Sequence, residues 1–197
     1  MAIELEKGSF DAILFDCDGT LIDTYALHLG SFQRTLAAYG LTMERDWYMA
    51  RGGLTPEGLL LAYADQVAPL PATIDELMVR VTAEFQGNLH TLREISLVAD
   101  LARAWHRQVP MAVASNGTHI NVSGSLEAAG LLQYFDAIVA IDDVERGKPA
   151  PDVYLEAARR VGVVAERCVV LEDSDEGMMS AAAAGMMAID VRPLTGR

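Results

Sequence analysis

Positive charge is what this chain most lacks. Against 28 Asp+Glu it sets 15 Lys+Arg, for a formal net charge of -13, and such a balance disfavours attraction to nucleic acid or to an anionic membrane surface. Neither partner is expected. Lysine is scarcer still, present only as Lys7 and Lys148. Cys17 and Cys168 are too few for a disulfide framework, and each sits beside an apolar run where a thiol behaves as a small hydrophobe. No apolar stretch approaches the roughly 20 residues that a spanning helix needs. The opening "MAIELEKGSF" has neither a basic n-region nor an apolar h-region. A cytoplasmic protein, monomeric or weakly self-associating, is the expectation.

What is present is an ordinary globular composition, 51% hydrophobic and 22% charged over 197 residues. Five short apolar runs predict buried parallel strands: "AILF" (12–15), "MAVAS" (111–115), "AIVAI" (137–141), "CVVLE" (168–172) and "MAIDV" (187–191). Between the later runs lie helical patterns such as "PDVYLEAARRVG" and "SDEGMMSAAAAG", opening near Pro, Ser or Asp and closing at Gly. The fold class is therefore α/β, a Rossmann-like parallel sheet sandwiched by helices.

The interval between the first two runs breaks this rhythm. "ALHLGSFQRTLAAYG", "PEGLLLAYADQVA" and "TIDELMVRVTAEFQGNLH" are amphipathic helical segments with no strand among them. A crossover needs only about a dozen residues, so residues 24–94 are expected to form an all-helical cap inserted into a core of residues 1–23 and 95–197.

Ligands of open α/β sheets lie beyond the carboxyl ends of the strands. There the sequence places Asp16 and Asp18, then Ser115 and Asn116, then Lys148, then Glu172 and Asp173. Clustered carboxylates repel unless a cation joins them, and several hard oxygens without Cys or His suit Mg²⁺. Ser115, Asn116 and Thr118 stand where a strand meets a helix start, a place for hydroxyls and N–H groups to hold a phosphate. Together with Lys148 these residues make a candidate phosphoryl-transfer site. Singly, Asp18-Gly19 would be an ordinary turn and Asp173-Ser174 an ordinary helix cap; four such features at successive strand ends favour function. Ser174 and Asp175 remain capping residues, and the paired methionines at 178–179 and 186–187 remain core packing.

"FDCDGTLIDT", "VASNGT", "GKPAPD" and "VLEDSDEG" resemble, in order and spacing, the four motifs of the haloacid dehalogenase-like phosphohydrolases, in the branch with a helical cap. The resemblance, closest to the sugar phosphatases and β-phosphoglucomutases, implies that Asp16 is the nucleophile that becomes an aspartyl-phosphate. Asp18 would be the general acid and base, Ser115 would hold a phosphoryl oxygen, and Lys148 would neutralise charge. Mg²⁺ would sit on Asp16, the Asp18 carbonyl and Asp173, with Glu172 a direct or more remote ligand. His28 matches a histidine that lies near the site in some members. Arg51, beside the permissive Gly52 and Gly53, is the candidate for gripping substrate.

Asp18 argues against a dehalogenase, which lacks this second acid. A cap without lysine argues against a phosphonate-cleaving enzyme and against a mutase that must hold a second phosphate. Tyr25 stands where many sugar phosphatases carry Glu, leaving the substrate open. The expected function is a Mg²⁺-dependent phosphatase for a small phosphorylated metabolite, a sugar or sugar-acid monophosphate. A β-phosphoglucomutase-like mutase and a non-catalytic sugar-phosphate-binding module are the alternatives.

Overall fold

A computed structural model describes residues 3, 5–51 and 54–195. The chain divides into two compact units, one of residues 1–23 and 92–197, the other Thr24–Thr91.

The first unit is built on a five-stranded sheet of β1 (Ala12–Phe15), β4 (Met111–Ala114), β5 (Ala137–Val139), β6 (Cys168–Glu172) and β7 (Met187–Asp190). Its order is β5-β4-β1-β6-β7, and every pairing is parallel. A short antiparallel ribbon, β2 (Ile22–Asp23) with β3 (Arg93–Glu94), closes the base of the inserted segment. This ribbon draws the return boundary forward to Leu92 from the expected 94/95. Two-residue strands carry too little periodicity to be read from sequence.

Strands β1, β4 and β6 are fully buried, which is why they read as continuous apolar runs rather than alternating ones. They are covered by α5 (Ser96–Trp105), α6 (His119–Ala128), α7 (Asp152–Val161) and α8 (Asp175–Ala183), with α9 (Arg192–Thr195) at the end of the described chain. Helix α7 lays Val153, Tyr154, Ala157 and Ala158 against Leu14, Ala112 and Val170 of the sheet. It stops at Gly162, whose φ of 73° is the left-handed conformation that closes a helix. Both cysteines are buried; burial pushes the Cys168 thiol up to about 11.

The register sets the site. Phe15 pairs with Val113 on one side and Leu171 on the other. Asp16, Ser115 and Glu172 therefore reach the same rim, at the place where successive strands leave β1 in opposite directions.

The second unit is helical: α1 (Tyr25–Ala37), α2 (Arg45–Met49), α3 (Pro56–Gln66) and α4 (Ile74–Gly87). Leu29, Phe32, Leu36, Leu60, Tyr63 and Leu77 form its core. Thr73 and Glu76 start α4 with a reciprocal capping box. The sequence reading passed over α2, whose five residues are too short to show a helical period. No helix among the described residues is long and apolar enough to cross a membrane.

Candidate active site

At the end of β1 the backbone turns sharply. Gly19 has φ of 89°, and a Cβ there would lie 2.1 Å from Asp173 Oδ2. Glycine is thus required twice, for the left-handed conformation and for the approach of the turn to Asp173. The Asp173 carboxylate is fixed on its other oxygen by Thr20 Oγ1, which donates to Oδ1 at 3.0 Å.

Lys148 is the electrostatic centre. Its Nζ donates to Asp16 Oδ1 at 2.6 Å and to Glu172 Oε2 at 2.8 Å, and all three groups are buried. Burial opposes its charge, but Asp16 and Glu172 outweigh burial and raise the ammonium well above the usual lysine range. A buried ion set of this kind holds only when every charge is compensated. Glu172 is compensated in full. Oε1 accepts from the Asp173 and Ser174 N–H groups, each at 3.0 Å, and from Ser174 Oγ at 2.8 Å; Oε2 also accepts from the Tyr154 hydroxyl at 2.5 Å. Burial pushes this carboxyl up, and Lys148, Tyr154 and Ser174 together hold it below the ordinary glutamate value.

Asp16 is the opposite case. Burial first, then Glu172, raise its carboxyl well above the usual aspartate range despite Lys148, and its buried Oδ2 has no hydrogen-bond partner. Asp173 is raised to about 6 by burial and by Glu172. One ligand oxygen from each of Asp16, Glu172 and Asp173 lies within 4.8 Å of the others. An orphaned buried oxygen within an all-carboxylate group fits a hard divalent cation. Because both Glu172 oxygens already accept hydrogen bonds, that residue suits holding Lys148 and the start of α8 better than direct ligation.

Ser115 Oγ accepts from the Gly117 N–H at 3.0 Å and donates to Asp18 Oδ2 at 3.3 Å. It thereby joins the turn after β4 to the second acid.

The α/β unit therefore gathers Asp16, Asp18, Ser115, Asn116, Lys148, Glu172 and Asp173 at one rim. The Asn116 side chain is committed to the Lys148 backbone: Oδ1 accepts from the Lys148 N–H at 2.7 Å and Nδ2 donates to the Lys148 carbonyl at 3.1 Å. Arg51 and His28 belong to the helical unit. The Arg51 guanidinium lies 4.1 Å from the centroid of the Trp47 ring and donates to the Trp47 carbonyl and to Gln66. The His28 ring packs on Phe85 with centroids 4.5 Å apart. Gly52 and Gly53 fall outside the described residues.

Two residues were missed. Thr20 was passed over as part of a turn. Tyr154 was read only as part of a helix, yet besides its bond to Glu172 its ring centroid lies 4.7 Å from Lys148 Nζ. The signal for it was a tyrosine on the buried face of an amphipathic helix, whose hydroxyl must find a partner.

Residues 13–191 match the family model for haloacid dehalogenase-like hydrolases. Fructose-1-phosphate phosphatase YqaB of Escherichia coli is 35% identical over 185 residues, covering 94% of this chain and 98% of that protein. A phosphorylated carbohydrates phosphatase of Thermotoga maritima is 30% identical over 182 residues, covering 89% of this chain and 82% of that protein. The crystal structure of CbbY from Rhodobacter sphaeroides in complex with phosphate superposes with a TM-score of 0.86 at 32% identity, covering 92% of this chain and 85% of that one.

Proposed function

This chain is a haloacid dehalogenase-like hydrolase, and from that premise we propose that it hydrolyses a sugar or sugar-acid monophosphate through a phosphoryl group carried on Asp16. The observation that carries this reading is the asymmetry of one carboxylate. Asp16 is gripped on Oδ1 by Lys148 and left without a partner on its buried Oδ2. Leaving a buried acceptor unsatisfied costs about 1–3 kcal/mol, a cost that persists where the atom serves a ligand.

In the first transfer an Asp16 oxygen forms a bond to phosphorus as the bond from phosphorus to the sugar oxygen breaks. Asp18 gives its proton to that leaving oxygen. In the second, Asp18 takes a proton from water, the water oxygen bonds to phosphorus, and the Asp16–phosphorus bond breaks to release inorganic phosphate. Ser115, with the N–H groups of the turn after β4, orients the phosphoryl oxygens, and Lys148 offsets their charge. Asp16, the Asp18 carbonyl and Asp173 would hold Mg²⁺, which when bound supplies further neutralisation of the phosphoryl oxygens.

The substrate class is supported by the E. coli and T. maritima relatives, named for fructose 1-phosphate and for phosphorylated carbohydrates. The test is phosphate release from a panel of sugar monophosphates with Mg²⁺ and with EDTA. Release that needs Mg²⁺ is expected. Isomerisation of glucose 1-phosphate without free phosphate would make the protein a mutase, and binding without turnover would make it a non-catalytic sugar-phosphate-binding module.

A further inference from the structure

We propose that Asn116 is a positioning residue for Lys148, its carboxamide clamping the lysine backbone and thereby setting where the ammonium meets Asp16. This rests on the reading of Lys148 as the cation of a phosphoryl-transfer site.

Lys148 lies in the turn just before α7, itself in neither helix nor strand, so no ladder of backbone hydrogen bonds fixes its height. Its N–H and C=O nevertheless need partners. Asn116 supplies both, with Oδ1 accepting from the N–H at 2.7 Å and Nδ2 donating to the carbonyl at 3.1 Å. A carboxamide offers donor and acceptor on separate atoms, so it can meet the N–H and the C=O at once. Aspartate would meet the carbonyl with a second acceptor, and leucine would leave both groups unpaired.

The loop is shaped around this contact. A Cβ on Gly147 would stand 2.6 Å from Asn116 Oδ1 and 2.7 Å from the Ile141 side chain, so glycine keeps the space that the carboxamide occupies. Asn116 itself follows Ser115, whose hydroxyl holds Asp18 and the Gly117 N–H. One residue thus ties the turn that would cradle the phosphoryl group to the backbone of the lysine that would neutralise it. The other end of that lysine is fixed independently, between Asp16 and Glu172.

Asn116→Ala should lower kcat by about 10²-fold, the loss expected from misplacing a catalytic group by an ångström, with KM for a sugar monophosphate nearly unchanged. Added to Lys148→Ala it should cost nothing more, because the two act as one unit. Position is read separately by NMR of protein labelled with ¹⁵N-lysine, since only Lys7 and Lys148 contribute. Lys7 is exposed and Lys148 buried, so the Lys148 NH₃⁺ signal should persist in the parent. It should exchange faster with water in the variant, while the backbone amide spectrum stays folded. Gly147→Ala, which leaves Asn116 in place and crowds it, should reproduce both effects if Asn116→Ala fails to fold. An unchanged Lys148 signal, or losses that add in the double variant, would overturn the proposal. A parent that releases no phosphate from any sugar monophosphate would sink the functional reading instead, and the NMR arm would still decide the role of Asn116.

Discussion

The two units treat charged groups in opposite ways. In the α/β unit, Asp16, Lys148 and Glu172 are buried together, and one acceptor among them goes unpaired. In the helical unit the charged side chains are spent locally and near the surface: Arg34 on Glu84 at 2.6 Å with both partly exposed, and Arg51 on Trp47 and Gln66. A core organised by packing alone would not retain an arrangement as costly as the first. The difference points to the α/β unit as the place of the proposed chemistry.

The sharpest break in this comparison is Asp16→Asn. It keeps shape and removes the proposed nucleophile, so turnover should fall by at least about 10⁴-fold while circular dichroism stays that of the parent. Residual turnover near the parent's would remove Asp16 as nucleophile. Next is Gly19→Ala, whose methyl must displace Asp173. The Mg²⁺ concentration for half-maximal activity should rise about 10- to 100-fold, and an unchanged Mg²⁺ titration would take Asp173 out of the metal site.

A third effect concerns stability. The Asp173 carboxyl is raised to about 6 in the folded chain from 3.8, so the folded state binds the proton more tightly and stability falls as pH rises through that window. Asp16 is raised too and acts in the same direction. Glu172 is lowered, and its contribution is lost only as pH falls below about 4.5. Without metal, the protein should therefore be less stable near neutral pH than at about pH 5, by on the order of 1 kcal/mol from Asp173 alone, and Mg²⁺ should restore stability at neutral pH. Melting scans in EDTA and in Mg²⁺ across this range check it; a stability that climbs with pH in EDTA would contradict it.

The smallest effect is reserved for the cap. Arg51→Ala should raise KM for a sugar monophosphate about tenfold and leave a generic aryl phosphate nearly untouched. Equal losses on both substrates would move Arg51 out of specificity.

The buried strands and the site on them were legible because β1, β4 and β6 are apolar on both faces and their first polar residues mark the rim. The acid pair, the lone lysine of the strand-end loops and the terminal Glu172-Asp173 followed from that. What escaped was direction. Nothing in "SNG" says that Asn116 turns toward Lys148, because that contact spans 32 residues of sequence and depends on the space Gly147 leaves. Tyr154 escaped for the same reason: its place on the apolar face of α7 was readable, whereas its partner Glu172 lies 18 residues on, at the end of β6. The β2–β3 ribbon and α2 were too short for any period to show.

Whether Asp16 carries the phosphoryl group is tested directly by rapid acid quench after mixing with a ³²P-labelled sugar monophosphate and Mg²⁺, followed by peptide mapping. Acid-stable, base-labile label is expected on the peptide containing Asp16 and none in Asp16→Asn. Phosphate release without a labelled enzyme, or label on Asp18, would contradict it.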